Sequence, residues 1–156
     1  MHTLIVVNSH QGNTRRVAEA MAKRLCSLGS CEVVDVINGP SSVPADIDLL
    51  LVGGPTEGHG MTPEMRGYLD GLCASVVRGK AVAAFDTRLA WPKILSGSAA
   101  DGIARKLVEL DGRLVGQPAS FIVSTAPELV PGEIERAQRW ADTIAARAMA
   151  GAAPVA

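Results

Sequence analysis

A short polar stretch joins the first apolar segment of the chain to the first amphipathic one. Ser9 to Thr14 follow the apolar run Leu4 to Val7, and a helical pattern begins at Thr14. Amides at the start of a helix lack intrahelical partners, and the helix dipole favours an anion there. A plain capped turn, the alternative, needs only one such polar residue. The stretch therefore predicts a phosphate site made of Ser9, His10, Gln11, Gly12, Asn13 and Thr14.

A second candidate segment is rich in glycine. Residues 53–61 contain four glycines, which indicates a backbone that approaches a ligand closely or adopts positive φ. A mobile surface loop without a function is the alternative. His59 either contacts a ligand, with a charge that changes with pH, or is simply solvated. The candidate binding residues here are Pro55, Thr56, Glu57, Gly58, His59 and Gly60.

A third candidate segment follows the apolar run that ends at Phe85. It contains Asp86, Thr87, Arg88 and Trp91, which we predict to contact the same ligand. Aromatic residues make up only 3% of the chain, and beyond Phe85 this segment offers only Trp91. In the alternative interpretation, Trp91 covers the edge of the core and Arg88 is solvated.

The elements that position these segments alternate between strands and helices. Short apolar runs predict strands, and apolar residues at helical spacing predict the helices between them. The predicted strands are 4–7, 31–36 (ended by Asn38-Gly39-Pro40), 48–52, 80–85 and 119–124, and the predicted helices begin near residues 14, 62, 98 and 131. This order predicts a three-layer α/β/α sandwich around a five-stranded parallel sheet, whose ligand sites lie beyond the carboxyl ends of the strands. We expect one domain over residues 1–149, with a last helix ending near Met149, and a flexible tail over 150–156.

Composition narrows the function classes. The net charge of −1 and the mixture of 15 basic and 16 acidic residues argue against nucleic acid and anionic membranes as partners. The three cysteines form no CxxC pair, which fits a cytoplasmic protein. The sequence shows neither a signal peptide nor an apolar run long enough for a membrane span. It also lacks Walker A and GxGxxG patterns, a metal-ligand cluster and a recognisable catalytic triad.

The first segment resembles the phosphate loop of flavodoxins, whose pattern is commonly T/S-x-T-G-N-T. Ser9, Gly12, Asn13 and Thr14 match it, and Gln11 stands in place of the second hydroxyl. The resemblance extends over the whole chain in element order and is to the short-chain type. It implies the strand order 2-1-3-4-5 and FMN at the switch point between strands one and three.

The resemblance also implies roles for the other two segments. In flavodoxins the loop after strand three packs against the isoalloxazine and contains a peptide that turns over on reduction, for which Gly58 and Gly60 are the candidates. His59 stands where many flavodoxins have Trp. The loop after strand four covers the other ring face, which implies contacts from Trp91, and Arg88 would offset negative charge on reduced flavin.

Three functions fit these observations. The first is electron transfer through bound FMN to a redox partner protein or a small-molecule acceptor, without catalytic residues of the protein itself. The second is an FMN-dependent NAD(P)H or quinone reductase, and the third is a binding module that has lost FMN. The balanced charge lacks the acidic rim of flavodoxin carriers, and either a monomer or a homodimer is expected. A receiver domain is excluded because Asn8-Ser9 and Gly53-Gly54 occupy the positions where it needs acidic residues.

Overall fold

The computed structural model describes residues 1–38 and 43–152, which alternate between strands and helices. The strands are β1 (Thr3–Val7), β2 (Cys31–Asp35), β3 (Leu49–Pro55), β4 (Ala81–Leu89), β5 (Arg113–Leu114) and β6 (Ala119–Val123). The helices are α1 (Asn13–Leu25), α2 (Pro63–Gly71), α3 (Ala74–Val77), α4 (Lys93–Ser96), α5 (Ala99–Glu109) and α6 (Glu133–Ala152), with a 3₁₀ turn at Cys26–Leu28. Within these described ranges, no helix is both long and apolar enough to cross a membrane.

The strands form a parallel sheet in the order β2-β1-β3-β4-β5, which confirms the predicted order. The edge next to β4 differs from the prediction, because two segments share it. Arg113 pairs with Ala81 near the start of β4, and Ala119 pairs with Phe85 further along. Pro118, which directly precedes β6, has no amide to donate to the ladder. The fifth position of the sheet is therefore divided between β5 and β6.

Helices cover both faces of the sheet, as predicted. α1 and α6 pack on one face against alternate strand residues that include Ile5 and Leu51. α2 and α5 pack on the other face against their neighbours, including Leu4 and Leu50. Because both faces are buried, the central strands are continuous apolar runs instead of alternating patterns.

The two central strands are longer than predicted, and this moves several candidate residues from loops into the sheet. Gly53 to Pro55 extend β3, and Asp86 to Leu89 extend β4, in register from Gly53–Phe85 to Pro55–Thr87. A Cβ at Gly53 would overlap the Phe85 ring, so this glycine is needed for packing.

The ends of the helices agree with the prediction in one case and differ in another. Thr62 caps α2 and Pro63 begins it, as predicted. α6 continues to Ala152, beyond the predicted end near Met149. The predicted end of strand two at Gly39-Pro40 and residues 153–156 of the predicted tail lie outside the described residues.

Candidate functional site

The turn between β1 and α1 exposes a row of backbone amides. Gly12 has φ +85°, a left-handed conformation, and α1 begins at the next residue. The amide of Arg15 donates to Oγ of Ser9 at 3.3 Å. Across the part of the chain that the structure describes, the amides of residues 10–14 have no protein acceptor. Consecutive free N–H groups at a helix start form an anion site.

This turn forms one wall of a cavity of about 360 Å³ at the carboxyl end of the sheet. The volume lies within the range of about 300–1,000 Å³ that is usual for small-molecule sites. All three predicted segments contribute to it, together with a fourth segment that follows β6. The lining residues are His10, Gln11, Asn13, Thr14, Pro55, Thr56, Glu57, Thr87, Arg88, Leu89, Val123, Ser124, Thr125 and Pro127.

The fourth segment was missed by the sequence analysis. The Asn13 side chain donates from Nδ2 to the carbonyl of Pro127 at 2.7 Å, which ties this segment to the first turn. The hydroxyls of Thr14 and Thr87 share a hydrogen bond at 2.8 Å and tie the same turn to β4. The fifth predicted strand also ends at this edge of the sheet. The predicted parallel sheet was therefore sufficient to identify Ser124 and Thr125 as candidate cavity residues.

His10 and Glu57 join the first turn to the segment after β3. Nδ1 of His10 lies 2.8 Å from Oε1 of Glu57, and its Nε2 lies 3.6 Å from Oε1 of Glu64. The hydrogen bond to Glu57 raises the pKa of His10 above its ordinary value, and the charges of both carboxylates act in the same direction. Of the two histidines predicted to bind the ligand, His10 lines the cavity and His59 does not.

His59 and the neighbouring glycines lie outside the cavity lining. The amide of Glu57 donates to the carbonyl of Gly60, and the amide of Gly60 donates back to Glu57, which closes a tight turn. Gly58 and His59 both have positive φ within this turn, at 55° and 72°. His59 is exposed and faces a second groove between α2 and α5.

Asp86 supports the site from beneath and does not line the cavity. It is fully buried, and its Oδ2 accepts hydrogen bonds from three donors on two other elements. The hydroxyls of Thr56 and Ser98 donate at 3.0 and 2.7 Å, and the amide of Ala100 donates at 3.0 Å. Asp86 thus fixes the end of β3 and the start of α5 against β4.

Arg88 and Trp91 occupy different surroundings, although the sequence placed them in one loop. Arg88 lines the cavity and donates from Nη1 to the carbonyls of Leu89 and Trp91, at 3.2 and 2.7 Å. Its Nε is buried and has no hydrogen-bond partner. The Trp91 side chain is exposed and lies outside the cavity lining.

Nine of the sixteen predicted residues thus line the cavity, in three groups at or after the carboxyl ends of three strands. The first turn supplies His10, Gln11, Asn13 and Thr14, and the ends of β3 and β4 supply Pro55, Thr56, Glu57, Thr87 and Arg88. The other seven are Ser9, Gly12, Gly58, His59, Gly60, Asp86 and Trp91.

The sequence profile described as the flavodoxin domain matches residues 4–94. This match covers more than half of the chain and includes the first turn, the segment after β3 and the whole of β4. The chain belongs to the flavodoxin domain family. A comparison with curated proteins found no match.

Solved structures resemble this flavodoxin domain over nearly its whole length. A flavodoxin from the domain Archaea is 22% identical, with a TM-score of 0.81 over 96% of this chain and 99% of that one. Flavodoxin 1 from Bacillus cereus is 20% identical, with a TM-score of 0.76 over 92% of this chain and 97% of that one. Rubredoxin oxygen:oxidoreductase from Desulfovibrio gigas is 18% identical, with a TM-score of 0.78 over 98% of this chain but 37% of that one. At these identities the likeness establishes the shared fold.

Proposed function

We propose that this flavodoxin domain binds FMN in the 360 Å³ cavity and transfers electrons to and from a partner. The row of free amides at residues 10–14 carries the proposal, because a phosphate is the group that such a row binds best. The solved structures with this fold include flavodoxins, and rubredoxin oxygen:oxidoreductase contains the same fold within a larger chain.

The rest of the cavity fits the remainder of the cofactor. Pro55, Leu89 and Val123 provide apolar surface, while Thr56 and Thr87 provide hydroxyl groups. Arg88 provides a cation in the cavity lining, and a guanidinium group is a donor for an anionic or carbonyl oxygen. Bound FMN would supply the redox chemistry, and the protein would supply position and charge.

The position of the Arg88 guanidinium indicates how the protein would shift the reduction potential of a bound flavin. A fixed positive charge near the reduced cofactor stabilises its negative charge and so raises its reduction potential. His10 lies on the first turn, where its Nδ1 atom is 2.8 Å from Oε1 of Glu57. Arg88 is therefore the lining cation without a carboxylate within 4 Å among the described residues.

Binding of FMN and of riboflavin by the purified apoprotein tests the proposal, with flavin fluorescence as the readout. Riboflavin lacks the phosphate, so the ratio of the two dissociation constants isolates the contribution of the first turn. We expect FMN to bind far more tightly, and Asn13→Ala with Thr14→Ala to weaken FMN by about 1–3 kcal/mol. Lys23→Ala, an exposed change later in α1, is the matched control and leaves both affinities unchanged.

Three results would contradict parts of the proposal. Equal affinities for FMN and riboflavin would remove the phosphate assignment. Failure of the protein to quench either flavin would favour the binding module without FMN. Rapid NAD(P)H oxidation with a quinone acceptor by the loaded protein would favour the reductase over the carrier.

A further inference from the structure

Three large apolar side chains are exposed beside the candidate flavin cavity. Trp91, Ile94 and Leu95 have 58%, 90% and 60% of their surface accessible, and all lie on the segment after β4. Clusters of exposed apolar residues of this kind are characteristic of protein interaction sites. We call these three residues the apolar patch.

The apolar patch is held in place by contacts beneath it. The Arg88 side chain, which lines the cavity, donates to the carbonyl of Trp91 at 2.7 Å. Lys93 pairs with Asp101 at 3.3 Å, which joins α4 to α5. A Cβ at Gly97 would overlap the backbone of His59, so the segment also packs directly on the turn after β3. The patch is therefore a fixed surface next to the cavity.

A basic groove adjoins the apolar patch. It has a volume of about 470 Å³ and runs between α2 and α5, and its lining includes Lys93, which directly precedes Ile94 of the patch. Its charged lining residues are the basic Arg66, Lys93, Arg105 and Lys106 and the acidic Asp101 and Glu109, and His59 also faces it. Lys93 and Lys106 pair with Asp101 and Asp70, whereas Arg66 and Arg105 have no carboxylate within 4 Å among the described residues.

The charge of this groove differs from that of the chain as a whole. The whole chain has a net charge of −1, while four basic and two acidic residues line the groove and Asp70 contributes a third carboxylate beside Lys106. Exposed arginines without carboxylate partners leave a positive field, which attracts an acidic surface and speeds its approach. The nearby carboxylates Glu57 and Glu64 both lie within 4 Å of His10.

We infer that the apolar patch and the basic groove together form the docking surface for an acidic redox protein. This inference rests on the proposed function, because it places the partner beside the flavin cavity. The groove would receive acidic side chains of the partner, and the patch would form the dry centre of the interface. One electron leaves the centre of one protein and enters that of the other, and no further reactant is consumed. The apolar patch favours a protein partner over a small anion, which the groove alone would satisfy.

Titration of the ¹⁵N-labelled protein with a gallium-substituted plant-type [2Fe–2S] ferredoxin tests the docking surface. This acidic probe transfers no electrons, so its binding does not depend on the redox activity of a flavin. The absorption spectrum of the same sample shows whether flavin is bound. We expect the indole signal of Trp91 to shift and that of the half-buried Trp140 to stay unchanged. The dissociation constant should rise on the order of tenfold between low and physiological salt.

Charge-reversal variants distinguish the effect of the groove on ferredoxin binding from the effect of the protein's net charge. Arg66→Glu with Arg105→Glu should weaken ferredoxin binding at least tenfold, and Ile94→Ser at least threefold. Lys23→Glu with Arg139→Glu is the matched control, because it changes the net charge equally on the opposite helical layer. Equal weakening by both double variants would overturn the assignment of the groove.

Two other outcomes would also overturn the inference. Saturable shifts at Arg66 and Arg105 with inorganic pyrophosphate, without binding of ferredoxin, would make the groove a small-anion site. Concentration-dependent dimerisation that is abolished by Ile94→Ser would make the apolar patch a contact between two copies of this chain. If ferredoxin binds as expected to a protein that takes up no flavin, the docking surface stands and the proposed electron transfer fails.

Discussion

Removal of the Asp86 carboxylate tests whether this residue positions the cavity or contacts the ligand. Asp86→Ala leaves the hydroxyls of Thr56 and Ser98 and the amide of Ala100 without their shared acceptor. A buried donor without a partner costs about 1–3 kcal/mol, and the two hydroxyls can partly reorient. Ser98 caps α5 by accepting from the amide of Asp101, so the start of that helix loosens as well. We expect a loss of about 3–5 kcal/mol in the free energy of unfolding, measured by urea denaturation with circular dichroism.

The isosteric change Asp86→Asn separates the two roles. All three donors bind one oxygen, Oδ2, so the amide oxygen of Asn can accept the same hydrogen bonds without the charge. We expect a loss of about 1–2 kcal/mol in stability and an FMN affinity close to that of the unchanged protein. Asp142→Ala, which removes an exposed ion pair with Arg24, is the control and should cost less than about 1 kcal/mol.

Two results would refute this reasoning. A loss below about 1 kcal/mol in Asp86→Ala would show that the three hydrogen bonds do not stabilise the fold as the geometry requires. A large loss of FMN affinity in Asp86→Asn at nearly unchanged stability would make Asp86 a ligand contact, as the sequence analysis proposed.

Three further predictions concern other parts of the molecule. Glu57→Gln should lower the pKa of His10, as measured by NMR titration. In the unchanged protein, the stability that the His10–Glu57 pair provides should be present below pH 6.5 and should be lost as pH rises through the raised pKa of His10. Gly53→Ala should cost about 1–3 kcal/mol in urea denaturation, because the new methyl group overlaps the Phe85 ring. Cys73 should be the most readily alkylated thiol near neutral pH, because hydrogen bonds from Ser75 lower its pKa and its side chain is exposed.

Each of these predictions has an internal comparison. An unchanged His10 pKa in Glu57→Gln would place the cause elsewhere. Gly60→Ala adds a methyl group with no neighbouring atom within 4 Å, so equal destabilisation by it and Gly53→Ala would contradict the packing argument. Burial raises the pKa of Cys31 to about 12, so faster labelling of Cys31 than of Cys73, read by mass spectrometry, would contradict the assignment.

The positions of the strands along the chain could be predicted from local sequence patterns, whereas their order in the sheet was implied by the resemblance to flavodoxins. Leu4 to Val7 and Leu49 to Val52 are buried on both faces, so they are apolar runs, and polar turns separate them from amphipathic helices. The same sequence could not show where β3 and β4 end. Gly53 to Pro55 have the residue types of a loop, and only pairing with Phe85 to Thr87 makes them strand.

The site was predictable where it depends on one turn and was not where it depends on contacts between turns. Residues 10–14 follow a buried strand directly, so their amides could be assigned to a helix start. The contact between His10 and Glu57 joins residues that are 47 positions apart, and no local sequence pattern predicts it. For the same reason the sequence assigned Trp91 to the cavity, whereas the carbonyl of Trp91 accepts from Arg88 and its ring faces outward.

The candidate determinants of cofactor binding and of partner docking lie on different elements. The amide row belongs to the turn before α1, whereas the apolar patch and the basic groove belong to α2, α4 and α5. Arg88 links the cavity directly to the apolar patch, because its side chain lines the cavity and donates to the carbonyl of Trp91. Variants of Asn13 or Ile94 should therefore change one property and leave the other. Arg88→Lys should alter both, since a single ammonium group cannot reproduce the several directed contacts of a guanidinium.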